Sequence, residues 1–257
     1  MTDNPRDVKE FWDEKYASFN VNEEVEGDLD LANQNINLKG KRVLIVAVGT
    51  GKEVVKAARA GAQVYGIDIS SNAVRNAQEM LIANLLSGTM VVGDAAETSF
   101  DTNFFDVIWG SSVLHHLDHE KYAKELDRIL KDDGAAIFVD EATFFNPLFK
   151  YTYEKLFGKG RVGRRRKRWI FKRRGDDFEK PIDEADLTNY EGQFVIESIP
   201  CKFMFFEKIA HVVFPGNGKL YALVGRIDSF LHYLLPSIKS YSYEYNFIFT
   251  KKKKVDN

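Results

Sequence analysis

The sequence predicts an α/β protein, with one mostly parallel sheet, helices on both faces and an elaborated C-terminal third. Three observations carry this. Short apolar runs alternate with helix-spaced segments from Val43 to Asp140, the rhythm of right-handed strand–helix–strand crossovers. Glycine or an acid closes several of these runs, at Gly49-Thr50-Gly51, Asp68, Gly93-Asp94 and Asp140. The chain has 257 residues, 44% of them apolar and 29% charged, which is enough carbon for a large core and excludes disorder over most of its length.

The elements follow in order. Val8, Phe11, Trp12, Lys15, Tyr16 and Phe19 recur at 3–4 residue spacing, an amphipathic helix with an aromatic stripe. Asn20–Lys39 is polar and acidic and reads as a connector. Val43–Val48 is continuously apolar, as in a strand buried on both faces, and Lys52–Ala60 is a helix that Gly61 ends. Gln63–Ile69 is the second strand, and Ser70 or Ser71 caps the helix carrying Ala73, Val74, Ala77, Met80 and Leu81. Thr89–Val92 and Phe105–Trp109 are strands three and four. Asp118 or His119 opens a helix through Leu130, the turn Lys131–Gly134 follows, and Ala135–Asp140 is strand five.

Beyond Asp140 the rhythm breaks. Phe144–Asp177 is an aromatic and then basic insertion, Asp183–Tyr190 a short capped helix, and Phe194–Phe206 is strand-like. Ile209–Leu235 is helical, interrupted at Pro215–Gly218 and stopped by Pro236. Tyr243–Thr250 alternates as a last strand.

Composition narrows the function classes. The lone Cys201 excludes a disulfide framework and any multi-cysteine metal site, and no metal is expected. No N-terminal apolar core marks a secretory signal, and Val43–Val48 is far short of the roughly 20 residues that span a bilayer. A soluble, cytoplasmic protein is the expectation. Net charge is −2, yet residues 159–174 carry ten Lys/Arg and no acid, so the remainder carries −2 − 10 = −12. That balance disfavours general nucleic-acid coating and allows a local anion or membrane-surface contact.

Ligands of open parallel sheets bind beyond the carboxyl ends of the strands. There a Gly-x-Gly turn lets backbone N–H groups approach a ligand, because glycine has no Cβ in the way. Asp68 can accept hydrogen bonds from a ribose diol, and Asp94 from an exocyclic amine such as that of adenine.

Taken together, Val43–Gly51, Gly66–Ser70, Gly93–Ala95, Phe105–Ile108, Leu114–Leu117 and Glu125–Gly134 resemble the ordered motifs of class I S-adenosylmethionine-dependent methyltransferases, in the subfamily of small-molecule and quinone methyltransferases. The resemblance covers about residues 40–141. It implies a Rossmann-like, seven-stranded sheet of order 3-2-1-4-5-7-6 and S-adenosylmethionine as cofactor, with S-adenosylhomocysteine as product. It further implies that Ala47, Val48, Gly49, Thr50 and Gly51 meet the methionine part and Asp68 the ribose. Ile69 would pack on adenine, Asp94 and Ala95 hold its amino edge, and Gly110 and Ser111 line the methionine side. Residues 1–39 would cover the site, 40–141 form the cofactor core, and 142–257 supply the acceptor cap and the last two strands.

The sequence departs from the family at two positions. Ile45 stands where an acid is usual and Ala47 where a glycine is usual. They motivate a rival reading, a non-catalytic binding or regulatory protein that keeps the fold. A nicotinamide-binding domain fits less well, since Val54 occupies the place of the third glycine in Gly-x-Gly-x-x-Gly.

Methyl transfer from a sulfonium is an in-line displacement, so alignment and water exclusion matter most, and a base is needed only for a protonated nucleophile. His116 is the first candidate base, with His115 and Glu141 beside it and Asp140 a further strand-end acid. Tyr16, Phe144, Arg165 and Arg168 are expected to contact the small-molecule acceptor. The basic block, with Trp169, Ile170 and Phe171 inside it, is a solvated face, a clamp for an anionic acceptor, or an RNA or membrane contact. Phe203–Phe206 and Leu220–Leu235 line an apolar cavity, cover the sheet or build a homodimer face.

Overall fold

A computed structural model describes residues 5–21, 23–157, 180–201, 205–207, 210, 214 and 216–253. Helix α1 (Pro5–Lys15) precedes an irregular segment, and then strands and helices alternate: β1 (Arg42–Val46), α2 (Lys52–Arg59), β2 (Gln63–Asp68), α3 (Ser71–Ala83), β3 (Thr89–Val92) and β4 (Phe105–Ser111). A 3-10 turn (Leu114–His116) leads to α4 (His119–Ile129) and β5 (Leu130–Ala142). The C-terminal third contains α5 (Pro147–Phe157), α6 (Glu184–Leu187), β6 (Phe194–Pro200), α7 (Gly218–Leu234), a 3-10 stretch (Pro236–Tyr241) and β7 (Glu244–Lys251).

The seven strands form one sheet in the order β3-β2-β1-β4-β5-β7-β6, as the resemblance implies. β7 runs antiparallel to both of its neighbours, β5 and β6. Strand alternation divides two cores. Leu44, Val46, Ile108, Phe138, Phe247 and Phe249 face α4 and Tyr190 on one side. Val43, Ile45, Val107, Trp109, Ile137 and Ile248 face α2 and α3 on the other. Period-two side chains buried on both faces explain why these strands read as unbroken apolar runs.

Local chemistry accounts for the helix boundaries. The Ser70 hydroxyl accepts from the Ala73 N–H at the start of α3, and Asp118 accepts from Lys121 at the start of α4; such caps each contribute about 1 kcal/mol. Asp183 and Asp186 form a reciprocal capping box on α6. Gly51 sits at the start of α2 with φ +84°, and a Cβ there would stand 2.6 Å from the Ala77 Cα of α3. Only glycine allows that approach of the two helices.

Three expectations are corrected. Lys131–Gly134 is not a separate turn. β5 begins at Leu130, and the extra residues form a bulge between the pairs Phe105–Leu130 and Val107–Ala135. Asn20–Lys39 is more than a connector: Val25, Leu29, Ala32 and Leu38 are buried in the α2/α3-side core, and Asp30 accepts from the Trp109 indole at 2.6 Å. The apolar stripe of Leu220–Leu235 does not cover the sheet, because Leu223, Ile227 and Phe230 face solvent. No described helix is long and apolar enough to cross a membrane.

Candidate functional site

The carboxyl edge of the parallel strands gathers most of the residues singled out from the sequence. Val46, the last residue of β1, pairs with Ile67 of β2 and Gly110 of β4. Three non-glycine residues just past or near strand ends here take left-handed backbone: Ala47 (φ 58°), Ser112 (φ 50°) and Asp140 (φ 55°). All three are exposed. Each such conformation costs about 1–2 kcal/mol, and strain of this kind clusters at functional edges. It is tolerated because neighbours determine it: the Ala47 N–H donates to Ile67 at 2.9 Å, the Ser112 N–H to Val139 at 3.0 Å, and the Asp140 N–H to the Asn246 side chain at 3.0 Å.

Asp68 is the centre of the cofactor side. Its Oδ2 accepts from the Gly49 N–H at 3.1 Å and its Oδ1 from the Ser70 N–H at 2.9 Å, so one buried carboxylate ties the glycine turn to the start of α3. Burial pushes this carboxyl above the usual aspartate range. The Asp13 charge pushes the same way, and the backbone hydrogen bonds pull back. Each oxygen keeps a lone pair for a diol hydroxyl. Asp94 is exposed and accepts from the Ala96 N–H at 2.8 Å, which turns its carboxylate at the end of β3. Val48, Gly49 and Gly51 are buried, and Thr50 and Ile69 half-buried, around this corner.

Two family departures have distinct consequences. Ile45 is fully buried among Val48, Val54 and Trp109, so an apolar side chain fills the place of the usual acid. Ala47 holds the left-handed backbone that glycine would take without strain, and its methyl is exposed at the edge.

Helix α1 lies over this corner. Asp13 Oδ1 accepts from Ser70 Oγ at 2.7 Å, Ser71 Oγ at 3.2 Å and the Asn72 N–H at 3.2 Å, while Asn76 Nδ2 donates to the Tyr16 carbonyl at 3.0 Å. A carboxylate at the first turn of α3 also suits the helix dipole. The Tyr16 hydroxyl stands 3.1 Å from where a Gly49 Cβ would be, which puts it at the glycine turn. Burial, with the Asp68 charge, pushes that phenol up to about 12, so it stays a neutral donor. Trp12 stacks on Tyr16 and meets the His116 ring edge-on at 5.4 Å.

The histidine pair is divided by its surroundings. Glu141, fully buried, accepts from the backbone N–H of Val113 (2.8 Å) and Leu114 (3.0 Å) through Oε1, and its Oε2 lies 2.7 Å from His115 Nδ1. Glu141 and buried His115 thereby hold the 3-10 turn, and half-buried His116 is the member presented toward α1. Gly110 is buried, and a Cβ there would strike Val113 at 2.6 Å, so it permits the turn to pack down; Ser111 beside it and Ala95 at the β3 end complete the edge. Phe144 packs against Phe149 and under the Lys150 ammonium. Arg165, Arg168 and the rest of 159–174 lie outside the described residues.

Sequence reading missed Asp13 and Ser112. Asp13 bonds to a residue 57 positions away, for which no local pattern exists. Among the described residues no cluster of His, Cys, Asp or Glu could hold a metal ion. The groups present fit S-adenosylmethionine: a diol acceptor in Asp68, an amine acceptor in Asp94, and an acidic corner suited to a cationic ligand.

Comparison with known proteins agrees. Residues 44–138 match the model of a methyltransferase domain. Over 123 residues the chain is 31% identical to demethylmenaquinone methyltransferase of Staphylococcus carnosus, covering 46% of this chain and 51% of that protein. The Staphylococcus aureus (strain MRSA252) protein of the same name is 32% identical over the same shares. The chain thus spans about half the length of the curated relatives it matches. Among solved structures, geranyl diphosphate C-methyltransferase of Streptomyces coelicolor, in complex with Mg2+, geranyl diphosphate and S-adenosyl-L-homocysteine, superimposes with TM-score 0.61 at 12% identity, over 98% of this chain and 100% of that one. A Haemonchus contortus phosphoethanolamine N-methyltransferase superimposes with TM-score 0.51 at 19% identity, over 86% of this chain and 50% of that one. Residues 44–138 thus match a methyltransferase-domain model and lie within a seven-stranded sheet of order β3-β2-β1-β4-β5-β7-β6.

Proposed function

We propose that this chain is an S-adenosylmethionine-dependent methyltransferase that transfers a methyl group by in-line displacement to a small-molecule acceptor of anionic or lipid-like character. The observation that carries the reading is the Asp68 carboxylate, buried at the glycine turn and fixed by the N–H groups of Gly49 and Ser70. The names of the relatives, acting on demethylmenaquinone and geranyl diphosphate, support the character of the acceptor.

When bound, S-adenosylmethionine supplies a methyl on a sulfonium, whose departure leaves a neutral thioether. The protein's work is alignment and exclusion of water. Asp68 holds the ribose, Asp94 the adenine edge, and the backbone of 47–51 the amino-acid end. α1 closes the corner through Asp13 and Tyr16. Glu141 and His115 are positioning residues for the 3-10 turn, and His116 takes the acceptor's proton where the nucleophile is a hydroxyl.

Isothermal titration of S-adenosylmethionine and S-adenosylhomocysteine into the purified chain tests this, with Asp68→Ala and Asp68→Asn as controls. Micromolar binding lost in both variants is the expected outcome. No heat from a folded sample overturns it and favours the non-catalytic reading, for which Ile45 and Ala47 then supply the cause.

A further inference from the structure

Two acids stand side by side at the end of β5, and the sheet sends them in opposite directions. Along β5 and β7 the register holds from Ala135–Thr250 to Phe138–Phe247, then resumes one residue late at Glu141–Tyr245. Val139 and Asp140 therefore stand opposite Asn246 alone, a β-bulge. Side chains of a strand alternate faces, so without the extra residue Asp140 would share the face of Phe138 and Glu141 would take the other. With it, Glu141 comes to the face of Phe138, where Val113 and Leu114 also pack and give it their N–H groups. Asp140, left-handed at φ 55°, is exposed at the carboxyl edge.

Neighbouring strands fix the backbone of Asp140. Its N–H donates to Asn246 Oδ1 at 3.0 Å, and its carbonyl accepts from Ser112 Oγ at 3.1 Å. Ser112, itself left-handed at φ 50°, follows β4, whose last residue Ser111 pairs with Val139. Asp140 thereby stands at the crevice where β4 and β5 end, one residue before the carboxylate that holds the turn Leu114–His116. Its charge is felt along that edge. The Cys201 thiol, 3.1 Å from Asn246 Oδ1, is pushed up to about 12 by burial and then by Asp140.

We infer that Asp140 is a specificity-determining residue: its carboxylate accepts a hydrogen bond from a neutral hydroxyl of the acceptor and turns away an acceptor that is anionic at that end. The inference rests on the methyl-transfer reading above and narrows its acceptor to one whose reacting end is uncharged. An ionised carboxylate has lone pairs for an O–H donor and none of the N–H or O–H groups that an anion needs. A bond from a donor to a charged acceptor is stronger than a neutral one, and a like charge brought to the same place is repelled, so one side chain both selects and rejects. Asp140 holds the acceptor; His116, on the turn that Glu141 fixes, remains the group that takes a proton. The bulge divides two adjacent acids between scaffold and substrate.

The test is calorimetric titration of the full chain, saturated with S-adenosylhomocysteine, with three probes built on one ring system: naphthalene-2,3-diol, its dimethyl ether and naphthalene-2-carboxylate. The ring suits the aromatic wall that Trp12 and Tyr16 supply beside His116. Wild type should bind the diol about tenfold or more tightly than the ether, and the carboxylate most weakly. Glycine and asparagine both accept a left-handed backbone, so Asp140→Gly and Asp140→Asn change the side chain without straining the bulge. Both variants should keep the thermal midpoint and the S-adenosylhomocysteine binding of wild type. Asp140→Gly should bring diol and ether within about threefold of each other, and both variants should bind the carboxylate more tightly than wild type does. No diol binding by the loaded wild-type chain overturns the inference, and so does a diol preference that Asp140→Gly leaves intact. Failure of the wild-type chain to bind S-adenosylhomocysteine is a different result: it overturns the methyltransferase reading, and the inference falls with it.

Discussion

Glu141 Oε2 lies 2.7 Å from His115 Nδ1 in a site where the glutamate is fully buried, and the same carboxylate accepts the backbone N–H groups of Val113 and Leu114. One side chain at the end of β5 therefore sets the conformation of the turn after β4. It satisfies donors of a short helical turn that would otherwise be orphaned in the interior, and it directs His115 inward and leaves His116 toward α1.

Removing this carboxylate should cost stability before chemistry. Glu141→Ala leaves several buried donors without an acceptor and is expected to lower unfolding free energy by about 3–5 kcal/mol, whereas Glu141→Gln, which keeps one oxygen, should lose roughly 1–3 kcal/mol. Urea unfolding measures both. His116→Ala, by contrast, should leave the urea midpoint near that of wild type and lower kcat more than it raises the KM for the acceptor. A result in which His116→Ala unfolds the protein and Glu141→Gln does not would reverse the assignment.

Asp68 links pH to both binding and folding. Burial, and then Asp13, raise its carboxyl above the ordinary aspartate value in the folded chain. A raised folded-state pKa means the native state holds the proton more tightly than the unfolded chain. The ionised form at neutral pH is then a stability cost, relieved as pH falls through the folded value. Binding moves the other way, because only the carboxylate accepts both ribose hydroxyls. S-adenosylmethionine affinity should decline on acidification at a higher pH than an exposed aspartate would produce, and Asp68→Asn should flatten that profile while weakening binding at least tenfold. Titration calorimetry between pH 5 and pH 8 reads both effects.

Ala47 keeps a left-handed backbone with φ 58° that glycine adopts freely. Ala47→Gly should therefore hold stability level or raise it by up to about 1 kcal/mol, the relief of strain outweighing the added chain entropy. Removing the exposed methyl should also tighten S-adenosylmethionine binding. Weaker binding in the glycine variant would show that the methyl is a contact the site uses.

At Gly51 the opposite holds. A Cβ would stand 2.6 Å from the Ala77 Cα, on backbone at φ +84°. Gly51→Ala should destabilise by about 2–4 kcal/mol, through left-handed strain and forced separation of α2 from α3. A thermal midpoint within a degree or two of wild type would contradict this packing.

The Tyr16 hydroxyl faces the Gly49 turn, and burial with the Asp68 charge keeps it protonated, its pKa pushed up to about 12. Tyr16→Phe should raise the Kd for S-adenosylmethionine about 3- to 10-fold, the worth of one hydrogen bond, and leave the fold intact. Equal affinity of the two proteins would confine Tyr16 to packing against Trp12.

By itself the sequence determined the order of elements, the glycine turn and the strand-end acids. These depend on local periodicity, on glycine's backbone freedom, and on the rule that parallel strands present their carboxyl ends to a ligand. Thr89–Val92 and the capping of α3 by Ser70 were legible for that reason. Tertiary structure alone decided the rest. Asp13 reaches Ser70 across 57 positions, and Glu141 reaches His115 across 26. The apolar stripe of α7 reads as core in one dimension, yet it faces outward because Asp228 is bonded on the inner side. Periodicity reveals that a helix has two faces; which face is buried depends on partners that only the folded chain brings together.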